Sequence, residues 1–315
     1  MVDTRTACTR IIEQVETVIV GKREVIRHTL VALLCDGHVL LEDVPGLGKT
    51  VLAKALASAV GGAFSRVQFT PDVLPTDITG SMVFDPRTAE FTYRPGPILT
   101  NVLLADEINR CGPRTQSALL EAMAERQVSV EREVVRLPRP FLVIATQNPI
   151  ELEGTFPLPE AQLDRFLMRL SLGYPEAADE LALIRRFRLD EPLDRVECVV
   201  TTEEILAMQQ SVRSVTINDV VEGYLLEVVR ATRGHEELQV GASPRASLAL
   251  ARAAQAIAAI DGRDFVRPDD VREIAPAVLA HRLVTTAQAD LLDHAAHDIL
   301  VELLATIPVP VESLA

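Results

Sequence analysis

The stretch LLEDVPGLGKT at residues 40–50 is the most informative part of the sequence, because it nearly matches a phosphate-binding loop. The usual pattern is a glycine, four further residues, then Gly-Lys and Ser or Thr. Gly48, Lys49 and Thr50 complete the end of this pattern, whereas Asp43 stands where the first glycine is expected. The first question is whether this loop binds a nucleotide despite Asp43.

The segments on either side of the loop supply the context that such a motif requires. HVLLE at 38–42 is a short apolar run and predicts a buried strand. KTVLAKALASAV at 49–60 has apolar residues at helical intervals and stops at Gly61 and Gly62, a common helix terminator. Because strand, loop and helix follow in this order, the sequence favours a working nucleotide site over an ordinary glycine turn.

The residue types of the loop suit phosphate binding. Backbone N–H groups and the N-terminus of the following helix attract anions. Gly46 and Gly48 let the chain wrap closely around a phosphate, and Pro45 stiffens the turn. Lys49 is predicted to reach the outer phosphates, and the Thr50 hydroxyl is predicted to bind Mg²⁺.

Short apolar segments alternate with helical segments up to about residue 175, which predicts the α/β class. Hairpin patterns are present at 81–96 and 127–138, and TPDVLPTDITG at 70–80 is expected to be a loop or short turn. The alternation indicates a doubly wound parallel sheet covered on both faces. The further segments that predict buried strands are 65–69, 101–107, 141–148 and 167–172, and a helix is predicted at 113–126.

Beyond residue 175 helical segments dominate. We expect a nucleotide-binding core over residues 1–175, a linker with the first lid helix over 176–195, and an all-α lid domain over 196–315. The predicted N-terminal helices of the core span 4–19 and 23–35. The predicted helices after the core span 176–189, 202–212, 217–232, 244–261 and 268–283.

Two further predicted strands end in polar side chains. NVLLADE places Asp106 at the carboxyl end of a strand, where ligands bind in open α/β sheets. Asp106 suits the Mg²⁺ shell, and Glu107 can activate or orient the attacking water. VIATQNP at 143–149 ends in Thr146, Gln147 and Asn148, and a side-chain amide there can hold the water or the γ-phosphate. The alternative for Asp106 and Glu107 is a strand that simply ends in two solvated acids. The alternative for residues 146–148 is a turn before Pro149.

Two arginines are candidates for contact with phosphate. Arg165 in QLDRFL either makes a surface salt bridge or presents its charge to a neighbouring subunit's phosphate, as an arginine finger does. Arg245 in GASPRA follows Pro244 at the predicted first turn of an alanine-rich helix. Because a cation is mildly unfavourable at a helix N-terminus, a bound anion explains Arg245 better than a solvated face does.

Taken in order, LLEDVPGLGKT, LLADEINR, VIATQNP, PEAQLDRF and GASPRA resemble the motifs of AAA+ ATPases of the MoxR group. QFTPDVLPTDITG and the first hairpin resemble the helix-2 insert of that clade. The resemblance covers nearly the whole chain. It implies an AAA+ core and a helical lid, with ATP and Mg²⁺ bound between the subunits of a homo-oligomeric, usually hexameric, ring.

The resemblance also implies roles for single residues. Val20 and Gly21 match the segment that packs on adenine, and Arg245 matches the sensor 2 arginine of the lid. The implied ATP-binding set is Val20, Gly21, Pro45, Gly46, Leu47, Gly48, Lys49, Thr50, Val51 and Arg245. The implied catalytic set is Glu107, Asn148 as sensor 1 and Arg165 as the trans-acting arginine finger, and the implied Mg²⁺ ligands are Thr50 and Asp106. The family tolerates EDVPG, so Asp43 raises little doubt.

The implied activity is ATP-driven, chaperone-like remodelling of a client protein. The group often matures or activates metalloenzymes beside a separate partner with a von Willebrand factor A domain. Two alternatives stay open: a nucleotide-gated assembly scaffold with little hydrolysis, and a chelatase-type motor subunit for metal insertion. A motor acting on nucleic acid is disfavoured by the net charge of −14 and by the absence of an added DNA-binding domain.

Composition indicates the class of protein and its location in the cell. With 48% hydrophobic and 24% charged residues, the 315-residue chain has the composition of a globular protein. The four cysteines form no CxxC pair, which predicts a reduced protein without zinc. The first residues lack the apolar centre of a signal peptide, and no apolar run approaches the ~20 residues of a membrane span. We therefore expect a cytoplasmic protein with no stable membrane insertion.

Overall fold

The structure is a computed structural model that describes residues 3–131, 133–149, 154–188, 192–292 and 294–310. The β-strands are β1 (Val39–Glu42), β2 (Phe64–Gln68), β3 (Gly80–Asp85), β4 (Glu90–Pro95), β5 (Val102–Asp106), β6 (Gln127–Val130), β7 (Glu133–Arg136), β8 (Leu142–Gln147), β9 (Met168–Leu170), β10 (Leu238–Val240) and β11 (Val284–Thr285). The α-helices are α1 (Thr4–Glu16), α2 (Arg23–Leu34), α3 (Lys49–Ala59), α4 (Pro75–Thr79), α5 (Pro113–Glu125), α6 (Glu160–Leu163), α7 (Ala177–Phe187), α8 (Thr202–Arg213), α9 (Asp219–Thr232), α10 (Pro244–Ile260), α11 (Pro268–Leu279), α12 (Ala287–Leu291) and α13 (Ala296–Thr306). None of these helices is long and apolar enough to cross a membrane.

Five strands form one parallel sheet in the order β2-β5-β8-β1-β9. Gln68 at the end of β2 is in register with Asp106 at the end of β5. Thr146 near the end of β8 is in register with Leu41 of β1. The carboxyl ends of these strands therefore meet at one edge of the sheet, as parallel strands require, and the predicted doubly wound α/β class is confirmed.

Hydrophobic side chains cover both faces of the sheet, because successive residues of a strand point to opposite sides. Leu40 of β1 belongs to a cluster that includes α5, whereas Val39 and Leu41 belong to a cluster that includes α3. All three side chains are fully buried. This double burial explains why the segment before the phosphate-loop motif is a continuous apolar run.

Two expectations for the segment after α3 are wrong. The strand expected to be buried at 65–69 is β2, which lies at the sheet edge and has no fully buried residue. The segment 70–80, expected to be a loop or short turn, contains α4. Pro75 opens this helix, and the Asp77 carboxylate accepts a hydrogen bond of 2.8 Å from the Leu74 N–H. Pro at the first helical position and this cap stabilise the short helix.

The two predicted hairpins are present. β3 pairs with β4 in antiparallel register from Gly80 opposite Pro95 to Asp85 opposite Glu90. β6 pairs with β7, although position 132 between them lies outside the described residues. Each hairpin forms a two-stranded sheet separate from the parallel sheet.

Helices dominate the chain after β9. The five predicted helices correspond to α7–α11, with ends within four residues of those expected, although position 189 lies outside the described residues. The small β10–β11 sheet was not predicted, because strands of two or three residues are too short to show alternation. The helices α12 and α13 were also missed, although α13 buries Ile299, Leu300, Leu303 and Leu304 at helical spacing.

The helix α10 connects the C-terminal part with the sheet-containing part. It packs against α8, α9 and α11, and also against α1 and α2. One hydrophobic cluster contains residues of α1–α3 and of α8–α11. Because this cluster is continuous, the domain limits at 175 and 196 stay predictions.

Candidate active site

The loop between β1 and α3 has the backbone that a phosphate-binding loop requires. Gly46 and Gly48 have φ angles of 88° and 90°, a left-handed conformation that glycine adopts without strain. The helix α3 begins at Lys49, directly after Gly48. Its first N–H groups have no partner inside the helix, so they are available to an anion at this end.

One cavity of about 260 Å³ joins this loop to the ends of the neighbouring strands. Its lining comprises Pro45, Gly46, Gly48, Lys49, Thr50, Arg66, Gln68, Asp106, Glu107 and Asn148. The fold thus brings together the loop, the two acids at the end of β5 and the asparagine after β8, as the sequence predicts.

The ammonium group of Lys49 lies against the loop itself. Its Nζ donates to the Asp43 carbonyl at 2.7 Å and to the Val44 carbonyl at 3.4 Å. Burial lowers the pKa of Lys49, while the carboxylates of Asp43, Asp106 and Glu107 oppose this shift. The Lys49 amine is therefore held against the backbone at the start of the loop, close to acidic groups.

Thr146 connects the two acids at the end of β5. Its hydroxyl donates to Asp106 Oδ1 at 2.6 Å and accepts from the Glu107 N–H at 2.8 Å. Glu107 has φ 59° and ψ 50°, a left-handed conformation that is uncommon outside glycine and that costs free energy. The buried threonine thus fixes both the Asp106 carboxylate and the turn that presents Glu107 to the cavity.

Three side chains without a predicted role bind these acids. Arg66 donates to Asp106 Oδ2 through Nε at 3.1 Å and Nη2 at 2.7 Å. Gln68 Nε2 and Arg110 Nη1 donate to Glu107 Oε2 at 2.7 and 3.0 Å. Arg66 and Gln68 are two residues apart on β2, so their side chains share one face of that strand. This spacing is visible in the sequence, but its meaning depends on β2 lying beside β5.

The residues at this cavity fit a magnesium ion. Thr50 offers a hydroxyl oxygen and Asp106 a carboxylate oxygen, and both line the cavity. Mg²⁺ prefers such oxygen ligands and usually keeps several waters beside substrate phosphates. Among the described residues, no group of three or more His, Cys, Asp or Glu side chains is arranged to hold a metal ion by itself. The phosphates and water would therefore complete the coordination of a metal held by Thr50 and Asp106.

Leu47 and Val51 do not line the cavity. Both side chains are half-buried and pack against the hydrophobic cluster that includes α3. Only their backbone groups are therefore candidates for contact with phosphate.

The segment that contains Val20 and Gly21 lies beside the phosphate loop without lining its cavity. The neighbouring Ile19 is close to Gly48, since a Cβ added at Gly48 would lie 3.6 Å from Ile19 Cδ1. Gly21 has a φ of 72°, and a Cβ there would clash with the Asp179 carboxylate of α7. The position next to the loop is compatible with the predicted contact to adenine, which stays a prediction.

The two candidate arginines lie in a second cavity, between the sheet-containing part and α10. This cavity of about 420 Å³ is lined by Arg165 and Arg245, and neither residue lines the phosphate-loop cavity of the same chain. Arg245 is preceded by Ser243, whose hydroxyl accepts from the Ala246 N–H and caps α10. Arg245 Nε lies 3.8 Å from Asp164 Oδ2.

The second cavity is strongly cationic in a protein of net charge −14. Five arginines line it beside only two aspartates: Arg126, Arg165, Arg245, Arg252 and Arg282 with Asp36 and Asp164. Arg282 is bound to Asp164 Oδ1 at 2.7 Å, and Arg126 is 3.3 Å from Asp36. Neither ion pair involves Arg165 or Arg252. The excess positive charge makes this surface suitable for an anion.

Two known domain families match the chain. The family described as "ATPase family associated with various cellular activities (AAA)" matches residues 38–168, which contain both acids and the phosphate loop. The family described as "AAA lid domain" matches residues 230–302.

Similar proteins are found among sequences and solved structures. The chain is 48% identical over 304 residues to the uncharacterised protein YeaC of Bacillus subtilis, with 96% of this chain and 95% of the relative covered. It is 44% identical over 311 residues to the chaperone MoxR1 of Mycobacterium tuberculosis, with 96% of this chain and 82% of the relative covered. A crystal structure from Cytophaga hutchinsonii, of a protein provisionally described as an ATPase, has a TM-score of 0.91 at 38% identity. That match covers 98% of this chain and 96% of the other.

Proposed function

Because the chain belongs to the MoxR family of AAA+ ATPases, we propose that it hydrolyses ATP as a ring to remodel client proteins. The observation that carries this proposal is the single cavity shared by Lys49, Thr50, Asp106, Glu107 and Asn148. These are the side-chain types that phosphoryl transfer requires. The chaperone MoxR1 of Mycobacterium tuberculosis, similar over 96% of this chain, supports the remodelling role.

Each residue of the cavity has a chemical role in this proposal. Lys49 and the N–H groups of the loop bind the outer phosphates. Thr50 and Asp106 hold Mg²⁺, which neutralises phosphate charge when it is bound. Glu107 orients the attacking water and accepts its proton, and Asn148 positions the water or the γ-phosphate.

We further propose that Arg165 and Arg245 act on the nucleotide of a neighbouring subunit. Their position in a cavity separate from the phosphate loop supports action in trans, because neither lines the site of its own chain. Arginines stabilise the charge that develops on the transferred phosphate. A ring, expected to have six subunits, brings the two halves of each site together.

The substitution Glu107→Gln tests the ATPase proposal. The variant should bind ATP with Mg²⁺ as the parent does, whereas release of phosphate should fall by at least about a hundredfold because water activation is lost. Glu222→Gln on the exposed surface of α9 removes the same charge at a residue that does not line the cavity and should leave phosphate release unchanged. Phosphate release by Glu107→Gln at the parent rate contradicts the role of Glu107.

A nucleotide-gated scaffold with little hydrolysis is the second candidate. It is favoured by the bonds from Arg66, Gln68 and Arg110 to the two acids, because those bonds compete with Mg²⁺ and water for the same oxygens. Phosphate release from the purified parent protein separates the candidates. Turnover that continues through many ATP molecules per subunit supports the motor, and ATP-dependent assembly without turnover supports the scaffold.

We also propose that the ring acts on a client protein together with a separate partner that has a von Willebrand factor A domain. Glu107→Gln should hold ATP without turnover and so retain a bound client. Proteins retained by this variant with ATP, compared with those retained with ADP, identify the client and partner. Retention of a chelatase component would favour metal insertion, and retention of nucleic acid would contradict the remodelling proposal.

A further inference from the structure

Asp43, the residue that replaces the first glycine of the motif, is a buried carboxylate outside the phosphate cavity. Its Oδ1 accepts from Ser171 Oγ at 2.6 Å and from the Gly173 N–H at 3.0 Å. Its Oδ2 accepts from the Leu172 N–H at 2.7 Å. A buried charge is tolerated when hydrogen bonds replace its water, and three donors do so here.

The three donors form one short segment, residues 171–173, which we call the β9 turn because it directly follows β9. This turn leads into α7 and from there to the helical part of the chain. Just beyond it, the Tyr174 carbonyl accepts from Lys22 Nζ at 2.9 Å. Arg186 of α7 donates to the carbonyls of Glu16 and Thr17 at 2.6 and 2.7 Å. The β9 turn and α7 are therefore fixed beside the segment that contains Gly21.

The backbone of Asp43 holds the residue that is proposed to contact phosphate. Its carbonyl accepts from Lys49 Nζ at 2.7 Å, while its carboxylate binds the β9 turn. A glycine at position 43 provides the carbonyl but no link to the β9 turn. Only a side chain with two acceptor oxygens can receive all three of these hydrogen bonds.

We propose that Asp43 is a positioning residue that couples the phosphate loop to the β9 turn, so that nucleotide at Lys49 also orders the segment leading to the lid. This inference rests on the proposed ATP-binding function. Phosphate attracts the Lys49 ammonium and changes its bond to the Asp43 carbonyl. Because the Asp43 carboxylate is fixed to the β9 turn at three points, the change reaches residues 171–173.

Amide hydrogen exchange on the full chain tests the coupling, with and without a non-hydrolysable ATP analogue and Mg²⁺. In the parent, the analogue should slow exchange both in the phosphate loop and in the β9 turn. In Asp43→Asn, which keeps the size of the side chain but loses its charge and one acceptor oxygen, the loop should still be slowed. The β9 turn should lose most of its response.

Two further variants keep the test decisive. Asp43→Gly restores the usual glycine of the motif and removes the link to the β9 turn, so nucleotide should bind while the response of the turn disappears. Ser171→Ala removes one of the three hydrogen bonds from outside the loop and should weaken the response in part. In all three variants, exchange outside the phosphate loop and the β9 turn should match that of the parent, which separates loss of the coupling from general destabilisation.

Different results would contradict the coupling and the proposed ATPase function. A β9 turn that responds to the analogue in Asp43→Gly and Asp43→Asn as it does in the parent overturns the coupling. So does a parent that hydrolyses ATP but shows no response in that turn. A parent that neither binds nor hydrolyses ATP overturns the proposed function itself.

Discussion

At the scale of single residues, Thr146 supports the acids of the site without reaching the cavity. It contacts both the Asp106 carboxylate and the Glu107 backbone, so one hydroxyl holds the proposed metal ligand and the residue proposed to orient water. The sequence places Thr146 at the end of a strand among other polar residues, but no local pattern reveals which groups it binds.

The substitution Thr146→Val should slow ATP hydrolysis. Valine keeps the shape but removes both hydrogen bonds, and losing one to a charged group costs about 1.5–3 kcal/mol. If that support is needed in the transition state, kcat should fall about ten- to a hundredfold. Phosphate release at saturating ATP and Mg²⁺ measures the effect. Thr146→Ser, which keeps the hydroxyl, should stay close to the parent, and a valine variant at the parent rate rejects this role.

The substitution Arg66→Ala should lower the Mg²⁺ concentration needed for half-maximal hydrolysis. Arg66 shares Asp106 Oδ2 with any metal at that site, so its removal leaves the oxygen to Mg²⁺. Because Arg66 is 46% exposed, the ion pair is worth at most about 1 kcal/mol, or about fivefold in Mg²⁺. Arg87→Ala in the exposed β3–β4 turn is the matched control. An unchanged or higher Mg²⁺ requirement contradicts the competition.

Sequence patterns located the residues that follow strands, but not those contributed by a neighbouring strand. Lys49, Asp106 and Asn148 each follow an apolar run, and parallel strands bring their ends together whatever the strand order. Arg66 reaches the site because β2 lies next to β5, with Gln68 opposite Asp106. That adjacency depends on the whole sheet, so the local sequence does not predict it.

Among the helices, α10 carries Arg245 in its first turn, directly after its N-terminal cap. Ser243 accepts from the Ala246 N–H, and Pro244 occupies the first helical position. The sequence predicted this helix to within one residue at its C-terminal end, since alanine-rich composition and Ser-Pro at the start agree. The β10–β11 pair carries no comparable local signal, because tertiary pairing alone defines such short strands.

The substitution Ser243→Ala should destabilise the N-terminus of α10. Loss of a serine cap typically costs about 1 kcal/mol, which should lower the urea midpoint of unfolding. Ser243→Asp provides an acceptor of similar capping strength and should stay close to the parent. Hydrogen exchange of the amides of residues 245–247 locates the effect. A midpoint that is the same in the alanine and aspartate variants shows that the cap contributes nothing.

At the scale of the whole molecule, buried histidines connect distant parts of the chain. His38 Nδ1 accepts from the Val143 N–H at 3.0 Å, and its Nε2 lies 3.3 Å from the Met123 carbonyl. His281, after α11, lies 3.2 Å from the Phe166 carbonyl before β9. Burial lowers the pKa of both residues well below the ordinary value, and neighbouring arginines lower it further.

Folding should therefore weaken as pH falls. Below about pH 6.5, the ordinary pKa of histidine, the unfolded chain binds protons that the folded chain does not. The free energy of unfolding should drop by up to about 1.4 kcal/mol per pH unit for each histidine. Urea unfolding between pH 7.5 and 5.5 measures this slope.

The double variant His38→Gln with His281→Gln is the control for this slope. Glutamine can accept and donate at these positions but does not titrate, so the slope should become shallower. His294 acts with the opposite sign, because its hydrogen bond to Glu237 raises its pKa. Its stabilisation is present at low pH and is lost as pH rises, with the sign opposite to that of the two buried histidines. An unchanged slope in the double variant contradicts the assignment.

Mixing two inactive variants tests whether ATP is hydrolysed at sites shared between subunits. Glu107→Gln keeps the arginine half of each site, and Arg165→Ala keeps the phosphate-loop half. Each alone should release almost no phosphate. Random mixing in equal amounts restores about a quarter of the interfaces, so phosphate release should recover to about a quarter of the parent rate. A mixture that releases no more phosphate than the two variants measured separately contradicts the shared site.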